Sequence, residues 1–327
     1  MQAARALLRT SRSLWEVAFP AVAMNVCVVV ESWACPPNDK QLLISGSLVF
    51  VLVFLLQLVP AQRVFGLEER KVAWREASVT SLSQVAFSFV GKDLASLAEI
   101  FFHAASFTLT FLPLAQTFAS GAEVFSVAFA LIYCVWGIIH IAAIVFTAQK
   151  ATMCGVVLGF MAFLFSGAKP ESFLLVESLG GLGKFLVLVT PTRWALSHWI
   201  FLHMSGRGSF WTSEFAASVL EKYMYDVGFS LKSMQCMRSP GTSSVLERLR
   251  AHDGFECSSL PLLLLGALFR FLAAACLLIT TGSSRASGGE LPLGVASEAG
   301  SRLLKACLAA FLVFGAVLNV LLLGGVA

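Results

Sequence analysis

Residues 42–61 read LLISGSLVFVLVFLLQLVPA, a run without an ionisable side chain. Hydrocarbon holds no water to pair backbone N–H and C=O groups, so about 20 apolar residues are stable there only as a helix. The rest of the chain repeats the pattern. Residues 94–119 carry only Glu99 and His103, and residues 124–148 only His140. Residues 151–168 are charge-free but short, residues 260–281 are interrupted by Arg270 alone, and residues 306–327 carry no charge. Six spans follow.

Composition agrees. Of 327 residues, 57% are hydrophobic and 13% charged, where a soluble domain carries about 25% charged. Mean hydropathy is +0.82. These values exclude a disordered chain, a nucleic-acid binder and a small disulfide scaffold. The net charge of +4 is too small to imply an acidic partner. The expected fold class is all-α, a polytopic transmembrane helical bundle of about six or seven spans, with the lipid bilayer as its first partner.

Two segments are weaker. Residues 14–34 are apolar but contain Glu16, Pro20 and Asn25, and follow Arg5, Arg9 and Arg12. They read as a signal peptide, a signal anchor or a first span. Residues 185–204 are apolar around Pro191 and Arg193 and carry two histidines, so a re-entrant or membrane-surface helix is expected there.

The organisation expected is a basic N-terminal segment with its weak span over 1–41, a transmembrane domain over 42–281, and a cytosolic linker with an extra span over 282–327. Residues 61–93 hold Arg63, Arg70, Lys71, Arg75 and Lys92 and belong on the cytosolic side, together with 149–150 and 282–305. The loops at 35–40 and 119–123 and the long loop of 169–259 then face outside. There, Cys236 and Cys257 can form a disulfide and Cys35 an intermolecular bridge. Three free thiols are the alternative. Cys27, Cys134, Cys154, Cys276 and Cys307 read as small apolar packing residues.

Catalytic chemistry is hard to find. Gly180-Gly181-Leu182-Gly183-Lys184 suggests a phosphate-binding loop, which needs G-x-x-x-x-G-K-[ST]. Ser178 stands where the first glycine should be and Phe185 where the hydroxyl should be, so a flexible loop is expected. Glu99 and His103 share a helical face at i and i+4, as do Trp136 and His140. Ionisable groups inside a membrane are functional candidates. The plainer reading pairs Glu99 with His103 near the cytosolic interface. No metal site is expected. Gly155 and Gly159 form a G-x-x-x-G pair that permits close helix approach, within the chain or across a dimer.

Between Gly66 and Lys92, Val72, Trp74, Val79, Leu82, Val85 and Phe89 make a roughly helical apolar stripe beside the charged run Glu68-Glu69-Arg70-Lys71. An amphipathic helix on the cytosolic surface fits, as a plain anchor or as a docking surface.

Several of these residues, in order, resemble ABC transporter subfamily G, of the white and plant type, with its ABC-2 membrane domain. Trp74-Arg75-Glu76, Ser78 and Phe89-Val90-Gly91-Lys92-Asp93 match the loop between that family's second and third membrane helices. Tyr133-Cys134-Val135-Trp136-Gly137-Ile138 resembles its fourth helix, Phe165-Ser166-Gly167 the end of its fifth, Thr192-Arg193-Trp194-Ala195-Leu196 an external-loop signature, and Leu264 to Ile279 its sixth.

The resemblance implies a type V exporter-like domain in a homodimer or heterodimer with another membrane domain, moving an apolar or amphipathic small molecule or lipid. It implies that Trp74, Arg75, Glu76, Lys92 and Asp93 couple the domain to an ABC ATPase, with Gly91-Lys92-Asp93 starting the third helix. It also implies a transport path lined by Phe54, Gln57, Phe163 and Phe165. The family's ATP-binding domain is not found ahead of the first span, so ATP and magnesium belong to a partner or a missing domain. The chain is no enzyme by itself. Its membrane is the plasma membrane or an endomembrane. Ser197 replaces the family's Glu, and Ala168-Lys169 the apolar plug. A non-transporting scaffold and a proton-coupled carrier using Glu99 and His103 are the alternatives.

Overall fold

The computed structural model of the protein describes residues 49–65, 82–115, 120–166, 178–206 and 258–286. Every regular element among them is an α-helix. In chain order these are α1 (Val49–Val64), α2 (Leu82–Ala115), α3 (Gly121–Val145), α4 (Ala148–Leu164), α5 (Gly181–Val189), α6 (Pro191–Gly206) and α7 (Leu260–Ala286). Three stretches are long and apolar enough to cross a membrane: Gln84–Leu112 in α2, all of α3, and Leu260–Thr280 in α7. α1 and α4 are apolar but shorter. The expected spans at 14–34 and 306–327 lie outside the described residues, as do Cys35, Cys236 and Cys257.

α3 is the hub, packing against α1, α2, α4, α6 and α7. Its near-uniform hydrophobicity fits a helix buried on every side, and fifteen of its residues are buried. A capping box starts it: the Ser120 hydroxyl accepts from the Glu123 N–H, and the Glu123 carboxylate accepts from the Ser120 N–H. Such a box satisfies two N–H groups that the first turn leaves unpaired. At the other end Phe146 and Thr147 adopt extended backbone and α4 follows at once. The turn therefore falls before the 149–150 loop the hydropathy suggested.

The most extensive helix contact joins α3 and α7, and glycine makes it close. A Cβ on Gly266 would stand 2.5 Å from Cδ1 of Tyr133, and one on Gly137 would stand 2.9 Å from Cβ of Phe269. Lipid supplies little hydrophobic drive between helices, so close backbone contact and dispersion hold them. Gly155 and Gly159 act the same way within the chain: a Cβ on Gly155 would run into Leu58, and one on Gly159 would meet Leu55 at 2.6 Å. The G-x-x-x-G pair joins α4 to α1. α1 itself turns at Gln57, three residues before Pro60, which has no N–H to give the Leu56 carbonyl.

One expectation is corrected: Gly91-Lys92-Asp93 does not begin a helix, because α2 starts at Leu82 and runs unbroken to Ala115. Val85 and Phe89 are buried with Phe65, Ala143, Ile144, Ala273, Cys276 and Leu277, so these two residues of the stripe face α3 and α7, while Val72, Trp74 and Val79 lie outside the described residues.

Residues 185–204 form parts of two helices broken at Thr190, not one, and α6 packs on α3, α4 and α7. The Gly-rich 180–184 run is no loop. Gly180 has φ +57°, a left-handed backbone suited to glycine, and α5 begins at Gly181. Pro191 opens α6, where its missing N–H costs nothing. The Thr192 hydroxyl donates to the Ala162 carbonyl in the last turn of α4 at 2.5 Å. Trp194 Nε1 donates to the Leu188 carbonyl of α5 at 2.7 Å. These bonds tie the start of α6 to α4 and to α5, and within α6 Trp194, Leu196, Ser197, His198 and Trp199 are buried.

Candidate functional site

Polar side chains buried in a membrane bundle must satisfy one another, since neither lipid nor packed apolar groups can. Here many of them gather in three clusters strung along α2, though in the third the His140 ring makes no hydrogen bond. The first joins α1, α2 and α3. Trp136 Nε1 donates to Gln57 Oε1 at 2.8 Å, and His103 Nδ1 stands 2.9 Å from the same oxygen. The indole can only donate, so the amide atom facing it is oxygen. His103 Nδ1 must then carry the proton. Gln57, His103 and Trp136 are all fully buried.

One turn toward the start of α2, Arg63 Nη2 donates to Glu99 Oε1 at 2.5 Å. The pair is partly exposed, at 35% for Arg63 and 27% for Glu99. Glu99 and His103 are thus committed to different partners on α1, Arg63 and Gln57. The expected Glu99–His103 pairing is replaced by two links from α2 to α1.

The third cluster joins α2, α3 and α7. Asp93 Oδ1 accepts a hydrogen bond from Arg270 Nη1. The guanidinium also lies over the Tyr133 ring, 4.1 Å from its centroid, and Nη2 reaches the Tyr133 carbonyl at 3.4 Å. His140 Nδ1 stands 3.7 Å from the Asp93 Oδ1 atom. Phe65 and Trp136 pack edge-on to the His140 ring, at centroid distances of 4.7 and 5.9 Å. Arg270 is 4% exposed, so the carboxylate is what lets a guanidinium sit inside an apolar helix. Among the described residues no group of three His, Cys, Asp or Glu could hold a metal ion.

Of the coupling residues read from the sequence, Trp74, Arg75 and Glu76 lie outside the described residues. Lys92 and Asp93 lie well inside α2, with Asp93 turned to Arg270. Of the four path residues, Phe54, Gln57 and Phe165 are buried in the protomer's own core, and Phe163 is half-buried. The large apolar residues of α1 and α4 that point outward are Val59, Met153, Val156, Val157 and Phe160. Sequence reading passed over the Asp93–Arg270 pair. A signal was there: an arginine in the middle of an apolar span demands a carboxylate, and the acids at or within the apolar run of 94–119 are Asp93 and Glu99.

A helical membrane domain with ion pairs between its spans is therefore the class that the fold defines. The family model of ABC-2 type transporters matches residues 36–239, more than half of the chain. The protein belongs to the ABC-2 type transporter family, as a membrane subunit of an ABC transporter. No curated protein matches the chain at a level that shows relatedness.

Proposed function

We propose that this chain is the membrane domain of a subfamily G-like ABC exporter that moves an apolar or amphipathic small molecule or lipid. Membrane domains of this family generally pair with an ATPase domain and dimerise. In this reading ATP and magnesium are held by a nucleotide-binding domain, on a partner subunit or in a further region of the same protein, and Trp74-Arg75-Glu76 meets that domain.

One observation carries the reading. α2 runs 34 residues without interruption, beginning a few residues after Glu76. A helix of that length spans about 50 Å and moves as one body. A push on the segment before Leu82 is thereby delivered along the whole depth of the bundle. Lys92 and Asp93 ride on the first third of that lever, and Glu99 and His103 further along link it to α1.

The path for cargo runs over the outward face of α1 and α4, where Val59, Met153, Val156, Val157 and Phe160 are exposed and Phe163 stands at the margin. A second protomer closes that face, and nucleotide-driven closure alternates its opening.

The test is the double variant Arg75→Ala/Glu76→Ala, reconstituted with the ATPase that co-purifies with the chain. ATP-dependent efflux of a fluorescent amphiphile is expected to vanish while helicity by circular dichroism is unchanged. Normal efflux in the double variant would remove the coupling assignment.

A further inference from the structure

We propose that Asp93 is a two-position switch, leaving Arg270 for His140 when α2 shifts against the α3–α7 pair. The proposal goes beyond the transport reading and does not need it to be right.

The motive is His140. Its ring is fully buried, yet neither Nδ1 nor Nε2 makes a hydrogen bond. A neutral imidazole has one donor and one acceptor, and leaving both unpaired in a core is costly. The ring cannot turn away to find partners, because Phe65 and Trp136 pack edge-on against it. The Asp93 carboxylate is an acceptor close by, its Oδ1 3.7 Å from Nδ1. A hydrogen bond needs about 2.9 Å. An approach of roughly 1 Å would complete it, within the range of helix shifts seen in switching proteins.

The scaffold favours that motion. α3 and α7 are locked by the close approaches at Gly137 and Gly266, so His140 and Arg270 keep their mutual positions. α2 packs on α3 but only lightly on α7. Asp93 is its polar tie to α7, and Ser96 Oγ, bonded to the Asp93 carbonyl at 2.6 Å, stays on α2's own backbone. When the carboxylate leaves, Arg270 keeps the Tyr133 ring and carbonyl as partners. When it returns, His140 gives up its bond. Each position has a partner for Asp93: the released Arg270 falls back on Tyr133, whereas the released His140 is left unpaired. No proton changes hands: Nδ1–H donates in one position and Nη1–H in the other.

The experiment is a set of melting temperatures for the purified full chain in lipid nanodiscs. His140→Phe removes both ring nitrogens and no bond of the Arg270-paired position, so its melting temperature should be unchanged or raised. Arg270→Met should lower it, because Asp93 then falls back on His140. The double variant should fall at least about 2 °C below the sum of the two single effects. His140→Asn, which keeps an N–H near the Nδ1 position, should restore additivity on the Arg270→Met background. If Arg270→Met does not fold, Arg270→Gln serves in the same comparison. Additive single effects would overturn the switch. So would a lower melting temperature for His140→Phe alone, since His140 would then already be bonded.

Discussion

Trp136 Nε1, in the middle of α3, donates to Gln57 Oε1 at the turn of α1, across 79 residues of sequence. The bond fixes which way the Gln57 amide points, and through it the tautomer of His103. One side chain thus ties three helices together.

Gln57→Leu leaves the indole N–H and His103 Nδ1–H without an acceptor in a dry core. A buried donor left unpaired costs about 1–3 kcal/mol, so a total loss of about 3 kcal/mol is expected. Thermal unfolding in detergent reads it. Gln57→Glu keeps an acceptor facing both donors and should lose less than half as much.

The glycines of the α3–α7 contact and the glycine of α2 should respond in opposite directions. Gly266→Ala drives a methyl into the Tyr133 ring and the Cys134 backbone, an overpacking that costs about 1–3 kcal/mol. Gly91→Ala meets nothing within 4 Å and replaces a poor helix former by the best, a gain of about 0.5–1 kcal/mol. Melting temperatures of the two variants, side by side, test the contrast.

How much of this could be read beforehand differs by element. The ends of α3 lie within about three residues of the expected 124–148, because Ser120 and Glu123 mark its start and Phe146-Thr147 its end. The start of α2 was misplaced because Gly91, Lys92 and Asp93 look like a boundary. Inside the helix Asp93 is paired with Arg270, 177 residues away, a partner that local spacing does not announce. α6 looked too polar for the interior for a similar reason. Its hydroxyl and indole donors are consumed by α4 and α5, a pairing that hydropathy does not encode. Glu99 and His103 were legible as buried groups on one face. Their partners, Arg63 and Gln57, depend on how α1 packs, which no spacing rule supplies.

Removing one member of the inner ion pair should be worse than removing both. Asp93→Asn strands a guanidinium in the bundle, and a loss of about 3 kcal/mol is expected. Arg270→Met should cost less, since His140 can take over the carboxylate. Asp93→Leu/Arg270→Met should recover at least half of the Asp93→Asn loss. Chemical denaturation in mixed micelles measures all three.

The G-x-x-x-G pair gives a test of where α4 docks. Gly155→Leu should separate α1 from α4 and lower the melting temperature by several degrees. Because the pair packs inside the chain, the number of protomers per particle, measured by mass photometry, should match the wild type. A change in protomer number would place the glycines between subunits instead.

The bond from Thr192 to the Ala162 carbonyl has a larger consequence than one hydrogen bond. Ala162 lies in the last turn of α4 and Thr192 in the first turn of α6, so the bond brings a negative helix end against a positive one. Each end carries about half an elementary charge from its aligned peptide dipoles. In apolar surroundings, where no counter-ion can settle, the two half-charges quench each other. The start of α6 is thereby held against the end of α4 by opposed helix ends, and any force that tilts α4 reaches α6 as an electrostatic pull.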